Sequence, residues 1–177
     1  MAKKSSPKTK APARLQTQTD LSDNAIPEIA EALNGLVADS YALYTKTKNF
    51  HWHVSGPHFR DYHLLFDEQA TEIFASVDEL AERVRKLGAK TIHSIGEIAR
   101  LSTIKDNNKD FVAPGDMLSE LMSDNKQVIR RMRAAHEIAD KHDDVATASI
   151  LENFIDQAEK RNWFLYEASR GTDGSGH

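Results

Sequence analysis

One stretch of the sequence concentrates side chains that can bind metal ions. "KNFHWHVSGPHFRDYHLLFDE", from Lys48 to Glu68, contains four histidines alongside acidic residues. Imidazole and carboxylate ligands together suit iron, zinc or manganese. A single histidine on a helix is more often structural, and that interpretation is kept for the following histidines: His53, His58, His93, His136, His142 and His177.

A second acidic group follows in "DELAERVRKLG", which contains Asp78 and Glu82. If the segment from 59 to 87 is one helix, His63, Asp67, Asp78 and Glu82 fall within about 100° on one flank, beside the apolar stripe. Asp67 and Asp78 would nevertheless lie about 16 Å apart along the axis. Metal to ligand bonds are about 2 Å long, so one chain cannot close this site.

Two copies of the chain can close it. A short loop would bring His51 beside His63 and Asp67, and an antiparallel partner helix would supply Asp78 and Glu82. A two-fold axis near position 72 or 73 generates two identical sites per dimer, and it would bury Phe74 against its symmetry mate. Bundles that hold two irons internally use Glu-x-x-His pairs, and no histidine here has a glutamate three residues before it.

The elements that must position these groups are helices. Apolar residues at three- and four-residue spacing predict a first helix over about 25 to 53 and a second over about 59 to 87, separated by "SGP". "TIHSIGEIARLST" predicts a short connecting helix, and two further long helices follow, the last capped by Asp143 or Asp144. No segment alternates like a strand. The prediction is an all-α, ferritin-like four-helix bundle with a short extra helix between the second and third long helices.

Composition separates a body from two tails. The 177 residues suit one domain, with the bundle over 22–170, a flexible basic arm over 1–21 and a flexible tail over 171–177. The first 20 residues hold five basic side chains and one acidic, whereas the rest hold 18 basic and 26 acidic. The chain has no cysteine, which excludes disulfides and thiolate sites and fits a reducing cytoplasm. Neither a secretory signal nor a membrane span is evident, so we expect no membrane partner.

The two motifs together resemble the signature of the Dps family, the bacterial mini-ferritins. The resemblance covers roughly residues 22 to 170, including "TASILENFIDQAEKRNWFLYE". It implies a hollow homo-dodecamer built on two-fold dimers that oxidises Fe(II), preferably with hydrogen peroxide, and stores Fe(III) mineral. It also implies roles for matching residues: His51, His63 and Asp67 bind iron with Asp78 and Glu82 of a partner, and Trp52 intercepts radicals.

Two further expectations concern iron uptake and DNA. Many relatives have an aspartate near a three-fold pore where this chain has Ser149, so Asp143 and Asp144 become the pore candidates. The arm is expected to bind double-stranded DNA without sequence preference, and in the nucleoid, through these cations: Lys3, Lys4, Lys8, Lys10 and Arg14. The alternatives are an architectural DNA-compacting protein with little ferroxidase activity, and a monomeric helical binding module.

Overall fold

A computed structural model of the chain describes residues 13–171, and five α-helices account for most of them. They are α1 (Ala25–His53), α2 (Phe59–Lys86), α3 (Ile95–Leu101), α4 (Pro114–Lys141) and α5 (Val145–Ser169), after a 3-10 turn at Ala13–Leu15. No strand occurs among these described residues. The predicted all-α bundle with a short extra helix is confirmed.

Each long helix buries an apolar stripe. On α2 the buried residues Phe66, Ala70, Ile73, Val77 and Leu80 recur at four- and three-residue steps, which keeps them on one face. α1 packs along α2 and α4 packs along α5, and the two pairs meet mainly through α1 and α4. None of the helices described between residues 13 and 171 is long and apolar enough to cross a bilayer.

The turn between α1 and α2 brings the histidine-rich segment together. α1 ends at His53, and Gly56 then adopts φ +103°, a left-handed conformation that favours glycine. The backbone N–H of Phe59 donates to the carbonyl of Gly56 at 3.0 Å, which starts α2 antiparallel to α1. This reversal places the last turn of α1 opposite the first turns of α2.

A buried carboxylate fixes the end of α3 against two long helices. Asp39 on α1 is fully buried and accepts from the backbone N–H of Thr103 at 2.6 Å and from the hydroxyl of Ser102 at 3.1 Å. Arg131 on α4 pairs with the same carboxylate. Its guanidinium passes so close to Gly35 that a methyl group there would overlap it, which explains a glycine within α1.

The base of the N-terminal arm contacts the end of α2. The Thr17 hydroxyl donates to the carbonyl of Arg85 at 3.0 Å, and the Arg85 guanidinium donates to the carbonyl of Leu15. Gly88, at φ +79°, leaves room for Thr17, because a Cβ there would lie 2.9 Å from the Thr17 carbonyl oxygen. Leu15 and Thr17 of the predicted arm thus contact the end of α2, whereas residues 1–12 and 172–177 lie outside the described residues.

Candidate metal centre

Two histidines from α1 and α2 stack against each other at the end of this helix pair where the turn connects the two helices. The rings of His51 and His63 lie 3.8 Å apart between centroids, with an interplanar angle of 26°. His51 is buried, whereas His63 is partly exposed. Neighbouring Phe59 packs against His63 at 5.0 Å between ring centroids.

Reciprocal hydrogen bonds orient both rings. His51 Nδ1 lies 2.7 Å from the carbonyl oxygen of His63, and His63 Nδ1 lies 2.9 Å from that of His51. A carbonyl oxygen can only accept, so in the neutral tautomer of each ring Nδ1 carries the proton. Each Nε2 is then left with a free lone pair, the form in which histidine binds metal ions.

Asp67 lies one turn beyond His63 on α2 and supplies a carboxylate. Its Oδ1 is 3.8 Å from His51 Nε2 and 2.6 Å from Lys48 Nζ. The hydrogen bond from Lys48 lowers the pKa of Asp67 below its ordinary value, and this effect exceeds the opposing effect of burial. The carboxylate is therefore ionised at neutral pH and available as an oxygen ligand.

Asp78 and Glu82 lie farther along α2 and are exposed. Asp78 faces a shallow groove shared with Phe74 and Ile95, and Glu82 forms an ion pair with Lys86 at 3.5 Å. Within residues 13–171 of one chain, no group of three or more histidine or acidic side chains could hold a metal ion as it stands. The structure thus brings His51, His63 and Asp67 together but leaves Asp78 and Glu82 apart from them.

Large apolar side chains are exposed along α2 and at the start of α3. Phe74 is 49% exposed, although its ring contacts Tyr44 at 4.9 Å and Tyr41 at 6.1 Å between centroids. Leu64 and Ile95 are also exposed. Large apolar residues that cluster on a surface commonly mark a contact with another protein.

The family model described as "Ferritin-like domain" matches residues 30–171. DNA protection during starvation protein 2 from Bacillus anthracis is 35% identical over 138 residues, which are 78% of this chain and 94% of that protein. This chain belongs to the Dps family. Solved relatives include Dps from Thermosynechococcus elongatus, with 29% identity, TM-score 0.82 and coverage of 87% of this chain and 98% of the other. Another is Dps from Vibrio cholerae O1, described as a member of a superfamily of ferritin-like diiron-carboxylate proteins, with 26% identity, TM-score 0.83 and coverage of 90% and 100%.

Asp143 and Asp144, the two residues predicted to lie at a pore, have different surroundings in the structure. Asp144 is buried, caps α5 by accepting from the Thr147 N–H at 3.0 Å, and pairs with Arg83 at 2.5 Å. Its carboxylate therefore has partners within the subunit, which confirms it as the cap of α5, whereas a place for it at a pore stays a prediction. Asp143 is exposed and adopts φ +55°, so it is the more accessible of the two pore candidates, with Ser149 also exposed.

Two more predicted residues have defined surroundings. Trp52 is 61% exposed, and Lys48 Nζ lies 5.8 Å from its ring centroid. Arg14 is exposed within the 3-10 turn. The other four arm residues lie outside the described residues: Lys3, Lys4, Lys8 and Lys10.

Sequence reasoning missed Lys48. Its ammonium contacts Asp67 across the interface of α1 and α2, so the contact depends on how far one helix is shifted along the other. The two histidines fix this shift of α1 along α2, because the ring of each one donates to the backbone carbonyl of the other. Placing His51 opposite His63 would therefore have placed Lys48 opposite Asp67. A lysine one turn before the metal-binding end of α1 was the available signal.

Proposed function

We propose that this protein is an iron-storage and detoxification protein whose ferroxidase sites lie between subunits. The observation that carries the proposal is the pair of histidines locked with both Nε2 atoms free beside Asp67. Two imidazoles and a carboxylate suit Fe(II). Asp67 is the one oxygen ligand beside these two histidines, so the site needs further donors to be complete. Fe(II) is the substrate here, and Fe(III) mineral is the product.

The missing donors are Asp78 and Glu82 of a partner subunit. Both are exposed in one chain, and they lie on the same helix as Phe74, whose ring stays half-exposed although it contacts Tyr41 and Tyr44. An antiparallel two-fold contact through α2 would cover Phe74 and bring these carboxylates to the histidines. Such a contact repeats itself into two identical sites.

The chemistry follows from the donor set. Neutral imidazoles hold Fe(II) without adding charge, whereas carboxylates favour the harder Fe(III) ion. Hydrogen peroxide takes two electrons, so two Fe(II) ions are oxidised for each peroxide reduced to water, and no hydroxyl radical is released. Trp52, exposed beside the site, would intercept stray oxidising equivalents. Dps-type assembly into a hollow dodecamer would provide the space for the mineral, with uptake past Asp143.

DNA protection is the second part of the proposal. The relative from Bacillus anthracis is named for it, and the arm of this chain carries five basic side chains on an otherwise acidic protein. Cations that neutralise phosphates release counterions, so binding should weaken steeply with salt and show no sequence preference. Several arms on one assembly would act on the same duplex at high effective concentration. The protein would then be a cytoplasmic, nucleoid-associated one.

The test of the iron function compares three proteins. Size-exclusion chromatography with light scattering gives the assembly size, and stopped-flow absorbance then follows Fe(II) oxidation by peroxide. We expect the double variant H51A/H63A to lose fast oxidation while keeping its size. H53A is the matched control, because His53 lies on the same turn but is exposed, and its Nδ1 contacts the Asn49 carbonyl oxygen instead of a residue of α2. Fast oxidation that persists in H51A/H63A would refute the site.

The DNA function needs a separate test. Replacing Lys3, Lys4, Lys8 and Lys10 with glutamine keeps the length of the arm and removes four charges. We expect the mobility shift of linear DNA to disappear, with ferroxidase kinetics unchanged. The alternative, a mainly architectural protein, predicts a different wild type. It would compact DNA but would show no peroxide-dependent iron oxidation.

A further inference from the structure

Lys48 occupies the place where a metal ion would contact Asp67. Its Nζ is 2.6 Å from Asp67 Oδ1, the same oxygen that lies 3.8 Å from His51 Nε2. The lysine side chain is mostly buried, with 18% exposure, which holds its ammonium close to the carboxylate. A cation held by His51 Nε2 and Asp67 Oδ1 would compete with that ammonium, because both would contact the same oxygen.

The Trp52 ring is a second group close to the Lys48 ammonium. Trp52 lies one helical turn farther along α1, and residues four apart share a helix face. Lys48 Nζ is already 5.8 Å from the Trp52 ring centroid, at the edge of the range in which a cation is attracted to an aromatic face. The indole of Trp52 is therefore the aromatic group nearest in position to receive the ammonium once it leaves the carboxylate.

We propose that Lys48 is a built-in competitor that sets the metal affinity of the ferroxidase site, an inference that rests on the proposed iron site. In the metal-free subunit its ammonium occupies Asp67 Oδ1, and when a divalent cation binds it moves toward Trp52. A monovalent ion brings no more charge than the ammonium it would displace and makes no comparable hydrogen bond. Lys48 therefore favours divalent over monovalent cations and keeps the carboxylate charge compensated between iron-binding events.

The test uses Zn²⁺ as a probe that binds without redox chemistry. Isothermal titration measures Zn²⁺ affinity for the full-length assembled wild type, for K48Q and for K48R, with H51A/H63A defining binding elsewhere on the protein. Removing a charged hydrogen-bond partner from a half-exposed carboxylate should tighten Zn²⁺ binding about tenfold in K48Q. K48R keeps the cation and should stay within about threefold of the wild type.

Lys160 provides a matched control. It pairs with Glu72 at 3.1 Å and lies 5.8 Å from the Phe164 ring, the same combination of carboxylate and aromatic partners away from the predicted ligands. K160Q should leave Zn²⁺ affinity unchanged. If K160Q tightens binding as much as K48Q, the effect is one of overall charge and the inference is overturned.

Fluorescence gives a second readout of the movement itself. The chain has two tryptophans, so a W163F background isolates Trp52. Zn²⁺ should change Trp52 emission in that background, and the change should fall by half or more when Lys48 is also replaced by glutamine. An unchanged response would overturn the proposed movement.

The outcomes separate this inference from the function on which it rests. If wild type binds Zn²⁺ through His51 and His63 but K48Q binds no more tightly, Lys48 is not a competitor and the ferroxidase proposal stands. If wild type binds no more Zn²⁺ than H51A/H63A, the site itself is wrong, and the role of Lys48 is overturned with it.

Discussion

Replacing Asp144 with alanine should destabilise the protein strongly, because its buried carboxylate makes several contacts within the subunit. The carboxylate caps α5 through the Thr147 N–H at 3.0 Å, accepts from the Thr147 hydroxyl at 2.5 Å and pairs with Arg83 at 2.5 Å. Only 2% of the Asp144 side chain and 15% of the Arg83 side chain are exposed. The substitution therefore removes a cap and leaves a mostly buried guanidinium without its partner.

Losing the cap and losing the ion pair lower the free energy of unfolding by different amounts. A lost N-cap costs about 1 kcal/mol, and removing one partner of a buried pair costs about 3 to 5 kcal/mol. Because one carboxylate serves both contacts, the effects are not additive, and we expect about 3 to 4 kcal/mol for D144A. At this chain length that corresponds to a decrease in Tm of about 10 °C. D144N keeps a capping oxygen and should recover about 1 kcal/mol of the loss.

Thermal unfolding followed by circular dichroism, at one protein concentration and one scan rate, measures these differences. D143N is the control, because Asp143 is exposed and asparagine tolerates its left-handed backbone as well as aspartate does. Its Tm should lie within about 2 °C of the wild type. A D144A protein that melts with the wild type, or a D143N protein that melts as early as D144A, would refute the assignment.

Three further predictions concern uptake, packing and pH. D143N removes an exposed charge without backbone strain, so initial iron mineralisation should slow severalfold while Tm is unchanged. G35A should lower the free energy of unfolding by about 1 to 3 kcal/mol in chemical denaturation, because the new methyl group displaces Arg131 from Asp39. Lys141 and His142 lower the pKa of Glu28 below its ordinary value, so its stabilising effect is present above the ordinary pKa and is lost as the pH falls through the lowered pKa. E28Q should therefore melt slightly earlier than the wild type at pH 7, and the two Tm values should converge in acid, where Glu28 is protonated.

The helices were predictable because their apolar spacing and their breaks are local. The first helix was expected over about 25 to 53 and spans Ala25–His53, since "SGP" follows and Gly56 takes a positive φ. Pairing of His51 with His63 was also predictable, because the turn of five residues leaves α2 no other direction. The cap of α5 was narrowed to two residues, and the structure selects Asp144.

The features that could not be predicted from the sequence depend on contacts between residues that are far apart in the chain. The burial of Asp39 beneath Arg131 and Thr103 joins three parts of the chain, and no local pattern indicates it. The arm was expected to be flexible from its polar composition, but the contacts of Thr17 and Leu15 with Arg85 depend on where α2 ends. Closure of the iron site by a second subunit stays a prediction, since it concerns contacts outside a single chain.

Mixed assembly of two inactive variants tests the intersubunit site most directly. Subunits carrying H51A/H63A and subunits carrying D78N/E82Q are denatured, mixed in equal amounts and reassembled, and peroxide-driven Fe(II) oxidation is measured. If each site takes histidines from one chain and carboxylates from its two-fold partner, half of the dimers are mixed and each contains one intact site, so activity should return to about one quarter of the wild type. A mixture as inactive as its two parents would contradict the account.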